Sequence, residues 1–187
     1  MGQIKAIITD FDGTLVNTFL ANLLAYKEAF KKFGYELTKT QYKQCYGLRY
    51  DDFCDKMKIK QEDRKPIKNF KKKIYPSFFR HTTLNVNLFD FICHLKKSCG
   101  IKTCIASTAT KENLYGLLKY FNIEKYFDII ITGENVAHGK PNPEVYNKAL
   151  TLLDCEPDEA LVFEDSDIGC EAAEGAEINY IKILNKI

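Results

Sequence analysis

Ile7-Ile8-Thr9-Asp10-Phe11-Asp12-Gly13-Thr14 is an apolar run that ends in two carboxylates and a glycine. The β-branched and apolar residues from Ile4 to Thr9 predict a strand. Two aspartates one residue apart at its end repel each other, which is costly for folding alone. A divalent cation would offset that repulsion, and a carboxylate beside a metal can attack phosphorus to form an aspartyl-phosphate. Gly13 lets the chain turn at once, at φ values other residues avoid. The same residues also suit an ordinary Asp-x-Asp-Gly turn between strand and helix, so this segment alone leaves both readings open.

A chain of 187 residues, 45% hydrophobic and 28% charged, is long enough for one core plus a small accessory lobe. Its net charge of +2 gives no reason to expect a nucleic-acid partner. The cysteines (Cys45, Cys54, Cys93, Cys99, Cys104, Cys155 and Cys170) are odd in number and include no C-x-x-C pair. That pattern fits reduced, mostly buried thiols rather than a disulfide framework. His81, His94 and His138 lack ligand spacing to any cysteine pair, so zinc is poorly supported. No apolar stretch approaches bilayer length, and no basic segment followed by an apolar one marks a secretory signal. The expectation is a cytoplasmic protein without a membrane partner, monomeric by default.

From Gly100 onward strand and helix patterns alternate. Ile101–Ala106, Phe127–Ile131, Ala160–Phe163 and Tyr180–Leu184 read as strands. Lys111–Phe121, Pro143–Leu153 and Asp167–Ala176 read as helices, the second with Asn142 as N-cap and the third closed by Gly175. This alternation predicts βαβ units and a doubly wound parallel sheet. No G-x-G-x-x-G follows the first strand, so a dinucleotide site is not indicated. Residues 17–81 differ, being helical in pattern throughout: Phe19–Phe33 stopped by Gly34, then pieces at Tyr42–Tyr46, Asp51–Met57 and Ile67–Phe79. They predict a helical lobe inserted into a core of residues 1–16 and 82–187. Lys65, Lys68, Lys71, Lys72 and Lys73 fall in this lobe, as a solvated helix face or as a lure for anionic substrates.

Three further segments lie just past predicted strands, where a parallel sheet places its ligands. Ser107-Thr108 offers hydroxyls and turn N–H groups that suit a phosphate oxygen, although both residues also simply favour turns. In Gly139-Lys140-Pro141-Asn142-Pro143 the flanking prolines rigidify the loop around a lysine. Held there, an ammonium would neutralise clustered carboxylates; otherwise it is an exposed loop lysine. Glu164-Asp165-Ser166-Asp167 again ends a strand in carboxylates. Ser166 or Asp167 can cap the next helix, but Glu164 and Asp165 have no such structural use. Asp10 with Asp165 would suit magnesium, which takes few carboxylates and keeps several waters.

The four segments together resemble the haloacid dehalogenase superfamily of phosphotransferases. Asp10-Phe11-Asp12-Gly13-Thr14 matches its D-x-D-G-T motif, Ser107 its hydroxyl motif, Lys140 its lysine, and Glu164-Asp165 its acidic pair. The helical insertion is similar to the family's C1 cap, and the G-K-P-N-P and E-D-S runs resemble the β-phosphoglucomutase-like phosphatases. The resemblance implies a Rossmann-like doubly wound α/β core with an inserted helical cap. It implies Asp10 as nucleophile and Asp12 as general acid, then base. Ser107 and Lys140 would bind the phosphoryl oxygens, with Gly13, Thr14, Thr108 and Arg49 as further substrate contacts. Asp10, Asp165 and the backbone carbonyl of Asp12 would ligate Mg2+, with Glu164 as a direct or water-mediated ligand. The implied activity is hydrolysis of a small phosphorylated metabolite, with cap closure excluding water.

Two rivals remain. A sugar-phosphate mutase of this family uses a histidine in the linker to the cap, but an ungapped comparison from Asp10 puts Asn22 at that position. The sequence therefore favours a hydrolase. A non-catalytic binding protein on the same fold is the alternative of another class, and intact Asp10, Asp12, Ser107, Lys140 and Asp165 argue against it. A dehalogenase proper would lack the second aspartate that Asp12 provides.

Overall fold

Ala6–Thr9 (β1) carries no charged residue and is buried throughout, the condition for the middle strand of a parallel sheet covered on both faces. The computed structural model describes residues 3–46, 48 and 50–184. A two-residue antiparallel pair, β2 (Val16–Asn17) with β3 (Thr83–Leu84), forms where the chain departs from and rejoins the sheet domain. β4 (Lys102–Ala106) and β6 (Ala160–Glu164) flank β1 in parallel, with Thr9 level with Ile105 and Phe163. With β5 (Ile129–Ile131) and β7 (Asn179–Lys182) the order is β5-β4-β1-β6-β7. The chain thus runs outward from β1 in both directions, which is the doubly wound α/β sheet the sequence predicts.

Helices cover both faces. Ala6 and Ile8 of β1 turn toward α7 (Glu144–Leu153) and α8 (Asp167–Gly175), joining Val145, Ala149, Leu153, Ala172 and Ala173 in one buried cluster. Ile7, one residue on, faces the opposite side. There α5 (Val86–Cys99) sets Phe91 edge-on to Phe163, ring centres 6.1 Å apart. α6 (Lys111–Phe121) buries Leu114, Leu117 and Leu118.

Several boundaries differ from the sequence reading. That reading assigns nothing to α5, because its apolar residues do not keep to one face: Leu88 and Ile92 are buried, Val86 and Phe91 exposed. α7 begins one residue later than expected, with Pro143 as N-cap, yet the Asn142 carboxamide still accepts from Glu144 N at 3.0 Å. Gly175 does not close α8 through a left-handed turn; it is the last helical residue, and Glu177 takes the positive φ.

Residues 18–82 form a compact unit of their own. It contains α1 (Phe19–Lys32), α2 (Lys39–Cys45), α3 (Tyr50–Lys56), α4 (Gln61–Ile74) and a 3-10 segment at Tyr75–His81. Its core is aromatic: Phe53 meets Tyr26 edge-on at 5.1 Å and stacks on Phe30 at 5.4 Å. α4 starts six residues before the predicted Ile67 and accommodates Pro66. Lys65, Lys68, Lys72 and Lys73 face solvent, but Lys71 does not. Its ammonium donates to Asn22 Oδ1 at 2.7 Å and lies 3.7 Å from the centre of the Tyr75 ring. Among the described residues no helix is long and apolar enough to cross a membrane.

Asn85 ties the start of α5 to the loop after β1. Its side chain caps Leu88 N, its carboxamide donates to Thr14 O at 3.2 Å, and its own N–H donates to Leu15 O at 2.8 Å. Asn85→Ala should cost about 1–2 kcal/mol, or roughly 3–6 °C in melting temperature. An unchanged melting curve would mean that neither bond contributes.

Candidate active site

Because β4 and β6 flank β1, the residues that follow these three strands meet at one edge of the sheet. Asp10 comes directly after β1, and its N–H donates to Phe163 O of β6 at 2.9 Å. Ser107 follows β4, Glu164 ends β6, and Asp165 follows it. One carboxylate oxygen each from Asp10, Glu164 and Asp165 fall within 4.8 Å of one another.

Lys140 is the counter-charge. Its side chain is 4% exposed, and its ammonium donates to Asp10 Oδ1 at 2.7 Å and to Glu164 Oε1. The loop that carries it is fixed by Glu144 at the start of α7. The Glu144 carboxylate accepts from Ala137 N at 2.7 Å and His138 N at 2.8 Å, and these N–H groups hold its pKa below the usual range. The sequence reading missed Glu144, whose only signal was an acid three residues after Pro141. His138 Nδ1 also pairs with Glu144, at 3.1 Å, so its role is local.

Glu164 is surrounded by donors. Oε1 accepts from Lys140 Nζ and from the Tyr146 hydroxyl at 3.0 Å. Oε2 accepts from Asp165 N at 2.9 Å and from Ser166 N and Oγ at 3.1 Å. Gly169 is essential to this enclosure, since a Cβ there would overlap the carboxylate. Burial pushes the Glu164 pKa up, but Lys140 and the other donors outweigh it and hold the group ionised. For Asp10 the balance reverses. Burial raises its pKa well above the ordinary value, Lys140 only partly opposes this, and Glu164 and Asp165 add to the rise. Burial is the largest single influence on Lys140 and opposes its charge, but Asp10, Tyr146 and Glu164 together outweigh it and hold the pKa well above the ordinary value.

The other predicted residues take different positions. Gly13 adopts φ +100°, and a side chain on it would overlap the Asp165 carboxylate. Thr14 is buried and its hydroxyl donates to Asp165 Oδ1 at 3.1 Å. Asp12 is half-buried, bridging Val16 through its backbone. Ser107 is 2% exposed; its hydroxyl accepts from Ala109 N at 3.0 Å and keeps its proton to donate. Thr108 is exposed, with its methyl toward Gly139. Arg49 lies outside the described residues.

Three carboxylates against one ammonium is a donor set suited to a divalent cation. The family model of the haloacid dehalogenase-like hydrolases matches residues 7–183, spanning all of these segments. The chain belongs to that family. A phosphorylated carbohydrates phosphatase of Thermotoga maritima is 29% identical over 181 residues, 95% of this chain and 83% of that protein. The crystal structure of CbbY from Rhodobacter sphaeroides in complex with xylulose-1,5-bisphosphate superposes with a TM-score of 0.86 at 26% identity, covering 98% of this chain and 87% of CbbY. A family IA, variant 3 hydrolase from Entamoeba histolytica gives a TM-score of 0.82 at 28% identity, over 96% of this chain and 84% of that one. This is the family that the four motifs resemble.

Burial makes ionised Asp10 costly, which has a measurable consequence. A carboxyl whose pKa is raised on folding binds its proton more tightly folded than unfolded. Stability therefore falls as pH climbs from the ordinary 3.8 toward the raised value. With chelator at pH 7, Asp10→Asn should melt about 3 °C higher than the parent, on the order of 1 kcal/mol. The gap should close below about pH 3.8. A divalent cation should stabilise the parent more than the variant. A variant that melts lower in chelator would mean that Lys140 more than offsets the burial of Asp10.

Proposed function

We propose that this protein is a Mg2+-dependent phosphatase that hydrolyses a small phosphorylated metabolite through an aspartyl-phosphate on Asp10. The observation that carries this reading is the buried Lys140 ammonium shared between Asp10 and Glu164, with Asp165 alongside. Such a site fits a nucleophilic carboxylate and a place for phosphoryl charge. The relatives support it too, one being a phosphatase of phosphorylated carbohydrates and another binding a sugar bisphosphate.

Asp10 attacks phosphorus while Asp12 gives its proton to the departing alcohol oxygen. Asp12, now ionised, removes a proton from water, which attacks the phosphorus of the aspartyl-phosphate. Phosphate leaves and Asp10 is regenerated as a carboxylate. Lys140 and the Ser107 hydroxyl hold the phosphoryl oxygens through both halves. Asp10, Asp165 and the Asp12 carbonyl would hold Mg2+, with Glu164, which also accepts from Lys140, as a further ligand directly or through water. When bound, the cation offsets carboxylate repulsion and the negative charge on the transferring group. The helical insertion acts as the cap that selects the alcohol. Asn22, bonded to Lys71, has no titratable nitrogen with which to shuttle a proton, and this favours hydrolysis over a mutase reaction.

Phosphate release should be followed over a panel of sugar phosphates, polyol phosphates, phosphoglycolate and nucleoside monophosphates, with Mg2+ and with chelator. Release should require Mg2+ and vanish in Asp10→Asn. Asp12→Asn should lower kcat about 10²–10⁴-fold, and Lys140→Ala about 10²–10³-fold. Near-normal turnover in either variant would remove that residue from its role. Conversion of β-glucose 1-phosphate to glucose 6-phosphate without phosphate release would make the protein a mutase. Release that persists in chelator would remove Mg2+ from the reaction, and a wholly silent panel would favour a binding role.

A further inference from the structure

We propose that Tyr146 is the positioning residue for Lys140, setting how its ammonium is shared between Asp10 and Glu164; this rests on the phosphoryl-transfer reading. Tyr146 lies on the face of α7 that packs on the sheet and is completely buried. Most of its neighbours on that face are aliphatic: Val145, Ala149, Leu150 and Leu153. Filling space there needs no hydroxyl, and a buried one must find a partner.

The partner is informative. The Tyr146 hydroxyl donates to Glu164 Oε1 at 3.0 Å, the same oxygen that receives Lys140 Nζ. Its ring also lies beneath Lys140, with Nζ 4.9 Å from the ring centre. One side chain thus touches both members of the pair, by hydroxyl and by ring face. A second donor on Oε1 weakens the hold of Glu164 on the ammonium. The ammonium is then left in balance between Glu164 and Asp10, 2.7 Å away. These two acceptors take two of its three N–H groups, and the Tyr146 hydroxyl also lies within hydrogen-bonding reach of the ammonium. Without the hydroxyl, Lys140 is drawn toward Glu164 and away from the reacting group. Without the ring it also loses its floor.

The test compares Tyr146→Phe, which keeps the ring, with Tyr146→Leu, which removes both features. With p-nitrophenyl phosphate and Mg2+, kcat per folded molecule should fall about 5-fold in Tyr146→Phe and about 10²-fold in Tyr146→Leu, with KM changed less than about 2-fold. The second readout is the Lys140 Nζ resonance in a 15N spectrum of the ammonium groups, assigned with Lys140→Arg. Its protons should be protected from exchange in the parent, partly so in Tyr146→Phe, and unprotected in Tyr146→Leu. Equal kcat in all three proteins, or a Lys140 signal unchanged in Tyr146→Leu, would overturn the proposal. So would a loss of activity that follows only the folded fraction measured by thermal melting. The ammonium spectrum needs no turnover, so a parent inactive on every phosphomonoester would count against the phosphatase reading and leave the positioning role to be judged by Lys140 protection.

Discussion

Lys140 is the buried counter-charge on which two adjacent strand ends depend. β1 delivers Asp10 and β6 delivers Glu164 to the same edge of the sheet, and both carboxylates are buried. Without a cation between them, burial and mutual repulsion would act against folding together. One ammonium cannot neutralise Asp10, Glu164 and Asp165 at once. The remaining excess of two negative charges equals the charge of one divalent ion. The protein satisfies Glu164 completely with its own donors and leaves Asp10 costly to ionise. The group most in need of further positive charge is thus the one placed at the end of β1.

Fixing one lysine this deeply takes several residues that never touch it. Glu144 gathers the N–H groups of Ala137 and His138, and so anchors the loop from the helix side. Gly169 leaves room for the Glu164 carboxylate, and Gly13 leaves room for that of Asp165. Ser166 caps α8 by accepting from Gly169 N while it donates to Glu164. The cap of a helix and the grip on a carboxylate are therefore one set of bonds. Disturbing either end of this chain moves the lysine.

The parallel sheet and the four site segments were legible because each is a short local pattern: an apolar run followed at once by carboxylates, a hydroxyl or a proline-bound lysine. Strand order then follows from βαβ connection rules, and the meeting of the segments follows from strand order. What was not legible depends on pairing across the chain. Nothing in the sequence ties the Thr14 hydroxyl to Asp165, a partner 151 residues away. Glu164 and Asp165 look equivalent side by side, yet Oε1 and Oε2 of Glu164 are both committed to protein donors. Lys71 reads as one of a run of solvated lysines, and only the fold shows it buried against Asn22 and Tyr75. Tyr146 carries no motif at all. A tyrosine on a buried helix face announces only that its hydroxyl needs a partner.

The near-neutral net charge of +2 conceals a division of labour. Residues 18–82 hold 16 of the 27 Lys and Arg and 7 of the 25 Asp and Glu, a net +9; the rest of the chain holds 11 and 18, a net −7. A sheet edge that gathers carboxylates repels a phosphate-bearing molecule before any contact is made. The inserted unit carries the opposite sign, and most of its lysines on α4 are exposed to solvent. Attraction of an anion over distance and chemistry upon it have incompatible electrostatic needs. The charge of the chain is thus divided between its two units, one cationic and one built around carboxylates.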